Sequence, residues 1–344
     1  MIITIEKLSS EGSGIARANG LVLFIPFTVP GDTVEAEITR QYPKYAEAKV
    51  VRIVTASPDR ITPPCPYFYE CGGCQLQHMN YATQLASKKQ IVMDALKRIG
   101  KVNDVIVPDV TPSPKEFFYR SRIQLQQSQT GKIGFFKRNT HDIVEIKKCL
   151  IADEKINEQL ENIKNIPDNR FELKPDPTSG FTQINILQNN NLVQTVLDYL
   201  DPKPEDLVAD VYCGSGNFTF PISEKTKHVW AIERDIKSLK EGKKKKTSNI
   251  SWIKATSSEG LRKLRKMDSV VVDPPREGMD KETLNALIDL HPKKIVSVSC
   301  NPSTFARDAE RLIQKGYQLT KVQPLDMFPQ TSHVEIVGLF ILSS

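Results

Sequence analysis

In the C-terminal half of the chain, short runs of valine, isoleucine and alanine recur, and each stops at a turn sequence rich in reactive side chains. The run 207–211 stops at Tyr212-Cys213-Gly214-Ser215-Gly216-Asn217, and 229–232 stops at Glu233. The run 269–272 stops at Asp273-Pro274-Pro275-Arg276, and 295–299 stops at Cys300-Asn301-Pro302. Helical patterns over 191–200, from near 218, over 282–290 and over 305–315 lie between or after them. Unbroken apolar runs suit strands buried on both faces, and their alternation with helices predicts an α/β, doubly wound parallel sheet. Two more runs, 317–324 and 333–341, read as a terminal strand pair. Ligands of such sheets bind outside the carboxyl ends of the strands, so the residues that end these runs are the candidate site.

The turn after 211 has Gly214 and Gly216 but lacks the third glycine of a dinucleotide fingerprint. Glu233 ends the next run about 20 residues later, where a carboxylate can accept both ribose hydroxyls. Together they suit an adenosine ligand without a pyrophosphate, S-adenosylmethionine rather than NAD. Two prolines after Asp273 make a stiff turn that can hold its carboxylate toward the crevice. Cys300 ends a strand just before a helix, for which Ser303 is the candidate cap. A thiol near a helix amino terminus can have a lowered pKa and act as a nucleophile. Taken alone, Cys300 suits a buried structural cysteine as well.

The amino-terminal third reads differently. Strand patterns over 2–7, 21–25, 33–40 and 46–53 are separated by Glu11-Gly12-Ser13-Gly14, Asn19-Gly20 and Pro30-Gly31-Asp32, the rhythm of a small barrel. A proline-rich stretch over 57–67 marks a boundary. These breaks divide the chain into 1–55, 56–175 and 176–344. The middle part carries Cys65, Cys71, Cys74 and Cys149, four thiols that suit a structural zinc or an iron–sulfur cluster. The sequence predicts a helix over 81–99, with Leu85, Ile91, Val92, Ala95 and Leu96 on one side, and strands over 117–129, 132–137 and 142–149. Aromatic and basic residues interleave there (Phe117, Phe118, Tyr119, Arg120, Arg122, Phe135, Phe136, Lys137, Arg138), as on faces that stack bases and hold phosphates.

The 344 residues carry a net charge of +6, with 39% hydrophobic and 26% charged residues, which are globular values. Residues 86–148 hold 13 Lys and Arg against 6 Asp and Glu, whereas 1–55 is balanced at six of each. No apolar run is long enough for a membrane span, and the start lacks a signal pattern, so a cytoplasmic protein is expected. Clustered cysteines in that compartment point to metal or catalysis rather than disulfides.

The ordered motifs DxxCGxGNFTxP, DPPRxGxD, SCNPxTxARD and DMFPxTxHVExV resemble the S-adenosylmethionine-dependent RNA uracil-5-methyltransferase family. EGSGIARANGLVLFIPFTVPGDTVEAEI resembles a TRAM domain, an OB-like barrel of RNA-modifying enzymes, and CxxxxxCGGCQLQH with a later cysteine resembles that family's [4Fe–4S] motif. The chain looks most like the TRAM-bearing, iron–sulfur members that act on large-subunit rRNA. The resemblance implies a Rossmann-like catalytic domain, an RNA partner and a monomer. It implies Cys300 as nucleophile, Glu335 as the proton-abstracting carboxylate, and Gln183, Tyr212, Asn217, Glu233 and Asp273 around S-adenosylmethionine. It also implies Cys65, Cys71, Cys74 and Cys149 as cluster ligands. Thr256 departs from the Asn or Asp that some members place near the adenine. Rival readings are a tRNA substrate, an amino-methyltransferase, and a non-catalytic RNA-binding assembly factor.

Overall fold

The computed structural model describes residues 1–163, 170–176 and 183–343. The chain forms two compact units, Met1–Ile91 with Ser113–Leu187 and Met327–His333, and Val92–Pro112 with Gln188–Asp326 and Val334–Ser344.

In the first unit, β1 (Ile2–Thr4), β2 (Lys7–Leu8), β3 (Gly14–Ala18), β4 (Leu21–Ile25), β5 (Thr33–Gln41) and β6 (Tyr45–Thr55) form one sheet, ordered β1-β5-β6-β4-β3-β2. Inward positions alternate along the strands, so Leu23, Ile25, Val34, Ala36, Ala46 and Ala48 close a common core. The hairpin between β3 and β4 turns at Asn19 and Gly20, both at positive φ (51° and 78°), the backbone that a two-residue hairpin needs. The strand expected over 2–7 is two short strands, paired with β5 and β3 respectively. β3 itself was hidden in a glycine-rich stretch. Gly14 is required there, because a Cβ would lie 2.0 Å from Thr28 Oγ1.

Helix α1 (Tyr81–Arg98) buries Ile91, Val92, Ala95 and Leu96 as its pattern requires. It also buries polar residues on its first turns, Gln84 at 1% and Lys88 at 0% exposure. Gln84 Nε2 donates to Gln330 Oε1 (3.0 Å), Gln330 N donates back to Gln84 Oε1 (3.1 Å), and Lys88 Nζ donates to Phe328 O (3.1 Å). Tyr119 Oη adds a bond to Pro329 O at 3.0 Å. The segment 327–333 is thus held by buried polar side chains, whose pairing offsets their desolvation.

β7 (Ile123–Gln127), β8 (Ile133–Phe136), β9 (Ile143–Glu145) and β10 (Arg170–Leu173) make an antiparallel sheet ordered β10-β7-β8-β9, with α2 (Glu154–Asn162) packing Ile156 and Leu160 onto it. The three strands expected in this region are shorter than their patterns. Gly131, at φ 81°, lies between the first two.

From α3 (Ile186–Leu200) onward the alternation is regular: β11 (Leu207–Val211), α4 (Thr219–Ser223), β12 (His228–Glu233), α5 (Ile236–Lys244), β13 (Ile250–Lys254), α6 (Ser257–Arg262) and β14 (Ser269–Val272). Then come α7 (Lys281–Leu290), β15 (Lys294–Ser299), α8 (Pro302–Ile313), β16 (Tyr317–Leu325) and β17 (Glu335–Leu342). The sheet order is β13-β12-β11-β14-β15-β17-β16, with β11 to β15 parallel and β17 antiparallel to both neighbours. After β11 the chain builds outward through β12 and β13, then crosses to lay β14 on the other side. The switch point therefore falls between β11 and β14, where such sheets open a ligand crevice. Val211, Val270, Val272, Ile295, Phe305 and Phe340 lie in the core around this sheet.

Helix α8 begins at Pro302, three residues before its expected start. Asn301, not Ser303, is its cap: Asn301 Oδ1 accepts from Ser303 N at 3.0 Å. Proline suits the first helical position because the N–H it lacks has no intrahelical partner there.

Candidate active site

β15 and β17 run in antiparallel register from Lys294 opposite Ile341 to Ser299 opposite Ile336. That register ends one residue short of Cys300, which leaves β15 beside the start of β17 at Glu335, close enough for the Glu335 charge to act on its thiol. Glu335 also pairs with Leu325 on its other side and is 7% exposed. Asp273 follows β14, the other neighbour of β15, and its N–H donates to Val211 O at 3.3 Å. Sheet pairing, not sequence proximity, gathers these three groups.

Their electrostatics depart from the sequence expectation. Burial pushes the Cys300 thiol up to about 11, the negative charges of Glu335 and Asp273 add to this, and Arg276 pulls the other way. A lowered pKa from the helix amino terminus is not what the structure has. Cys300 precedes the cap, and the Asn301 side chain already occupies the Ser303 N–H. Burial raises the Asp273 carboxyl, and burial plus the Asp273 charge raise Glu335. Two neighbouring buried carboxyls resist ionising together, so the pair keeps a proton to higher pH than isolated acids do.

A clasp of hydrogen bonds ties the turn after Asp273 to the helix after Cys300. Asn301 Nδ2 and Thr304 Oγ1 each donate to Arg276 O at 3.2 Å. Arg307 Nη2 donates to Glu277 O (2.9 Å) and Met279 O (3.2 Å), and Asp308 Oδ2 accepts from Met279 N at 2.9 Å. Gly278, at φ 77°, lets the turn close: a Cβ would lie 2.5 Å from Arg307 Nη2 and 2.7 Å from Asp308 Oδ2. The Ala-Arg-Asp end of the cysteine motif thus fixes the turn that carries Asp273. The sequence reading assigned these residues no role.

At the switch point, Tyr212, Gly214 and Gly216 all take positive φ (64°, 55° and 101°). A Cβ on Gly214 would meet nothing within 4 Å, so the backbone there faces open space. Glu233 supports the turn by accepting from Gly214 N (3.0 Å, Oε2) and Asp235 N (2.7 Å, Oε1). Each carboxylate oxygen keeps a second lone pair for a ligand hydroxyl. Asn217 exchanges two amide hydrogen bonds with Asn189, at 2.9 and 3.0 Å, which fixes its orientation. Asn189 was not a sequence candidate. Asp210 is fully buried beneath this turn. Its Oδ2 accepts from Thr219 Oγ1 at 2.5 Å, its Oδ1 has no partner, and burial pushes its pKa up to about 7. Tyr212, Asn217, Glu233, Asp273, Cys300 and Glu335 all belong to the second unit. Gln183 belongs to the first, where its carbonyl accepts from Ser121 Oγ at 2.7 Å.

In the first unit, Cys65, Cys71, Cys74 and Cys149 line one cavity of about 180 Å³ together with Arg120. Burial raises all four thiols, Cys71 to about 11 and Cys74 to about 12, with neighbouring cysteines adding to both. Asn157, itself buried, fixes Cys149 by accepting from its N–H (2.7 Å) and donating to its carbonyl (3.1 Å). Among the described residues, no group of three or more His, Cys, Asp or Glu is arranged to hold a single metal ion. No helix among them is long and apolar enough to cross a membrane.

Known proteins share this organisation. The family model described as tRNA (uracil-5-)-methyltransferase matches residues 164–343, and that of the TRAM domain matches 1–51. An RNA methyltransferase of Bdellovibrio bacteriovorus is 35% identical, covering 98% of this chain and 93% of its own length. One from Aquifex aeolicus is 32% identical over 98% and 97%. The crystal structure of the Pyrococcus abyssi tRNA (uracil-54, C5)-methyltransferase with S-adenosyl-L-homocysteine has the same fold, with a TM-score of 0.72 and 24% identity over 99% of this chain and 100% of that one. With a TRAM domain at its amino terminus and a catalytic sheet matched across more than half its length, this chain belongs to the S-adenosylmethionine-dependent RNA uracil-5-methyltransferase family.

Proposed function

We propose that this enzyme methylates C5 of a uridine in structured RNA of the large ribosomal subunit, through a covalent bond between Cys300 and the pyrimidine. The observation that supports the chemistry most is the pairing of β15 with β17, which brings the Cys300 thiol within reach of the charge of the buried Glu335 carboxylate. C5 of uracil is a weak nucleophile, and covalent catalysis splits its methylation into easier steps. The reaction starts from the fully ionised pair: Asp273 takes the Cys300 proton, and Glu335 stays a carboxylate. The thiolate then bonds to C6, and the C5–C6 π electrons move toward O4. C5 takes the methyl group, whose bonding pair stays with the sulfur it leaves. Glu335 next removes the C5 proton, the C5–C6 double bond re-forms, and the sulfur of Cys300 departs as thiolate. A carboxyl whose pKa burial has raised is a stronger base than an exposed one once it ionises.

S-adenosylmethionine supplies the electrophilic methyl group. Glu233 would hold its ribose hydroxyls, Tyr212 and Asn217 would border it at the glycine turn, and Asp273 would complete the set within the second unit; Gln183 is proposed on the resemblance of its motif alone. The uridine must leave its stack to reach a strand-end thiol, so base flipping accompanies binding.

The four thiols around one cavity support a [4Fe–4S] cluster as the proposed occupant. The four cysteines line one cavity without three of them being arranged to hold a single metal ion, as tetrahedral zinc at about 2.3 Å would require. Arg120, in the cavity wall with a buried Nε that lacks a partner, supplies a positive charge suited to an anionic cluster. Bound there, the cluster would hold the Cys65–Cys74 loop and Cys149 in place.

The reading of rRNA as substrate rests on the resemblance of the cysteine set to that branch of the family. A tRNA substrate is the second reading, favoured by the description of the matching family and by the archaeal structure that shares the fold. Purified enzyme with methyl-labelled S-adenosylmethionine, offered large-subunit rRNA and tRNA lacking 5-methyluridine, separates them. Label mapped to a uridine in rRNA supports the proposal, label confined to tRNA replaces the substrate, and label in neither removes both.

A further inference from the structure

The connection 326–334 joins β16 to β17, and Leu325 stands opposite Glu335 where it begins and ends. What holds the middle of this connection therefore bears on the carboxylate at its foot. Phe328-Pro329-Gln330-Thr331 is a tight turn, closed by Thr331 N donating to Phe328 O at 3.2 Å. Pro329 suits the second position of such a turn, and Gln330, at the third, has a positive φ of 68°. Glycine or asparagine is the residue that this backbone favours. A glutamine held there, 2% exposed, is strained, and such strain persists only where the surroundings over-determine the residue.

Those surroundings are the cysteine loop and α1, all within the first unit. Gln75 N and Leu76 N, of the two residues that follow Cys74, both donate to Gln330 O at 3.0 Å. On its other side Gln330 is paired with Gln84 through its N–H and its side-chain amide. The Gln75 side chain reaches both ways. Its Nε2 donates to Gly72 O at 3.0 Å, between Cys71 and Cys74, and its Oε1 accepts from Ser332 N at 3.4 Å. One side chain thus ties the inside of the cysteine loop to the stretch that runs into Glu335. A glycine at 330 would make the turn without strain and without the Gln84 pair, so the turn alone does not explain the glutamine.

We infer that Gln75 and Gln330 are positioning residues for the reaction: the cysteine loop fixes the tip of the β16–β17 connection, and with it the Glu335 carboxylate for the step that removes the C5 proton. The inference rests on the proposed covalent mechanism, and it gives the cysteine loop a part in that mechanism. An ordered loop keeps the tip in place, and a loosened one releases it. Cys300 follows β15 and the glycine turn follows β11, so thiol addition and methyl transfer continue when the tie is cut. The methylated adduct then waits for its base.

The test uses full-length Gln75→Ala and Gln330→Gly enzymes with methyl-labelled S-adenosylmethionine and unmodified transcripts of large-subunit rRNA and tRNA. A misplacement of about 1 Å can cost a hundredfold in rate, so kcat falls roughly ten- to a hundredfold in each variant, while KM for S-adenosylmethionine stays within about twofold. A slow-migrating protein–RNA species accumulates on a denaturing gel in both, because the adduct forms faster than it resolves. Gln330→Gly relieves the strained backbone, which sets its effect apart from misfolding. Hydrogen exchange read by mass spectrometry gives a measure independent of turnover: the peptide over 326–335 exchanges faster in Gln75→Ala than in wild type. Unchanged kcat in both variants overturns the inference. A fall in kcat without the adduct also overturns it, since that marks damage outside proton removal. If Glu335→Gln accumulates no adduct, the covalent reading fails and the inference with it; if Glu335→Gln does and neither glutamine variant does, the positioning role alone fails.

Discussion

Cys300 starts as a protonated thiol in an acidic neighbourhood, which makes its ionisation the first thing to measure. Its pKa near 11 predicts that alkylation of the Cys300 peptide by iodoacetamide, followed by mass spectrometry, quickens about tenfold per pH unit from neutrality to beyond pH 9. A cation placed beside the thiol favours its charged form, so S-adenosylmethionine shifts this profile to lower pH and S-adenosylhomocysteine, whose sulfur is uncharged, does not. An inflection below pH 8 in the free enzyme would contradict the burial argument. Asp210 gives a second residue-scale prediction. Its folded pKa of about 7 lies above its ordinary 3.8, so between those values the folded state holds a proton that the unfolded state has lost. Stability therefore falls as pH rises from about 4 to about 7 and levels beyond, by ~2–4 kcal/mol from this group. Asp273 and Glu335 act in the same direction. Asp210→Asn flattens part of that slope in urea denaturation, and an unchanged slope would show that Asp210 ionises normally.

Among the elements, the clasp between α8 and the turn after β14 is the feature most open to test. Gly278→Ala places a Cβ against Arg307 and Asp308, whereas Gly131→Ala, at a similar φ of 81°, meets nothing within 4 Å. Both pay for the left-handed backbone, roughly 1 kcal/mol or more. Only Gly278→Ala should add to it, losing ~1–3 kcal/mol further in denaturation and lowering kcat as the Asp273 turn shifts. Equal losses in the two variants would show that the clasp yields freely. The strands that carry the candidate groups were legible because burial on both faces makes them unbroken apolar runs: 207–211 and 269–272 match β11 and β14 at both ends. The elements of the second unit that were missed, α5, β13 and α6, are short or lysine-rich, and their signals are weak beside the pattern of the central strands. The Asn189–Asn217 pair and the burial of Gln84 and Lys88 could not be read from local pattern. Their partners lie far away in the chain, 240 residues in the case of Lys88 and Phe328.

For the whole molecule, motif order made the catalytic family readable, while no local pattern shows how the cysteines meet. The separation of Cys149 from the other three is bridged by the fold, which brings all four to one cavity. The cluster reading predicts about four irons per chain and a broad absorption near 400 nm in anaerobically prepared protein, both lost in Cys74→Ser; protein with one tightly held zinc and no iron would replace it. The central claim, however, is the covalent one, and the Glu335→Gln enzyme tests it most directly. With end-labelled substrate RNA and S-adenosylmethionine, this variant should accumulate a slow-migrating protein–RNA species on a denaturing gel, because the methylated adduct cannot lose its C5 proton. The same species should be absent when Cys300→Ala is added. No adduct in the single variant, or an adduct that survives the loss of Cys300, would contradict the account.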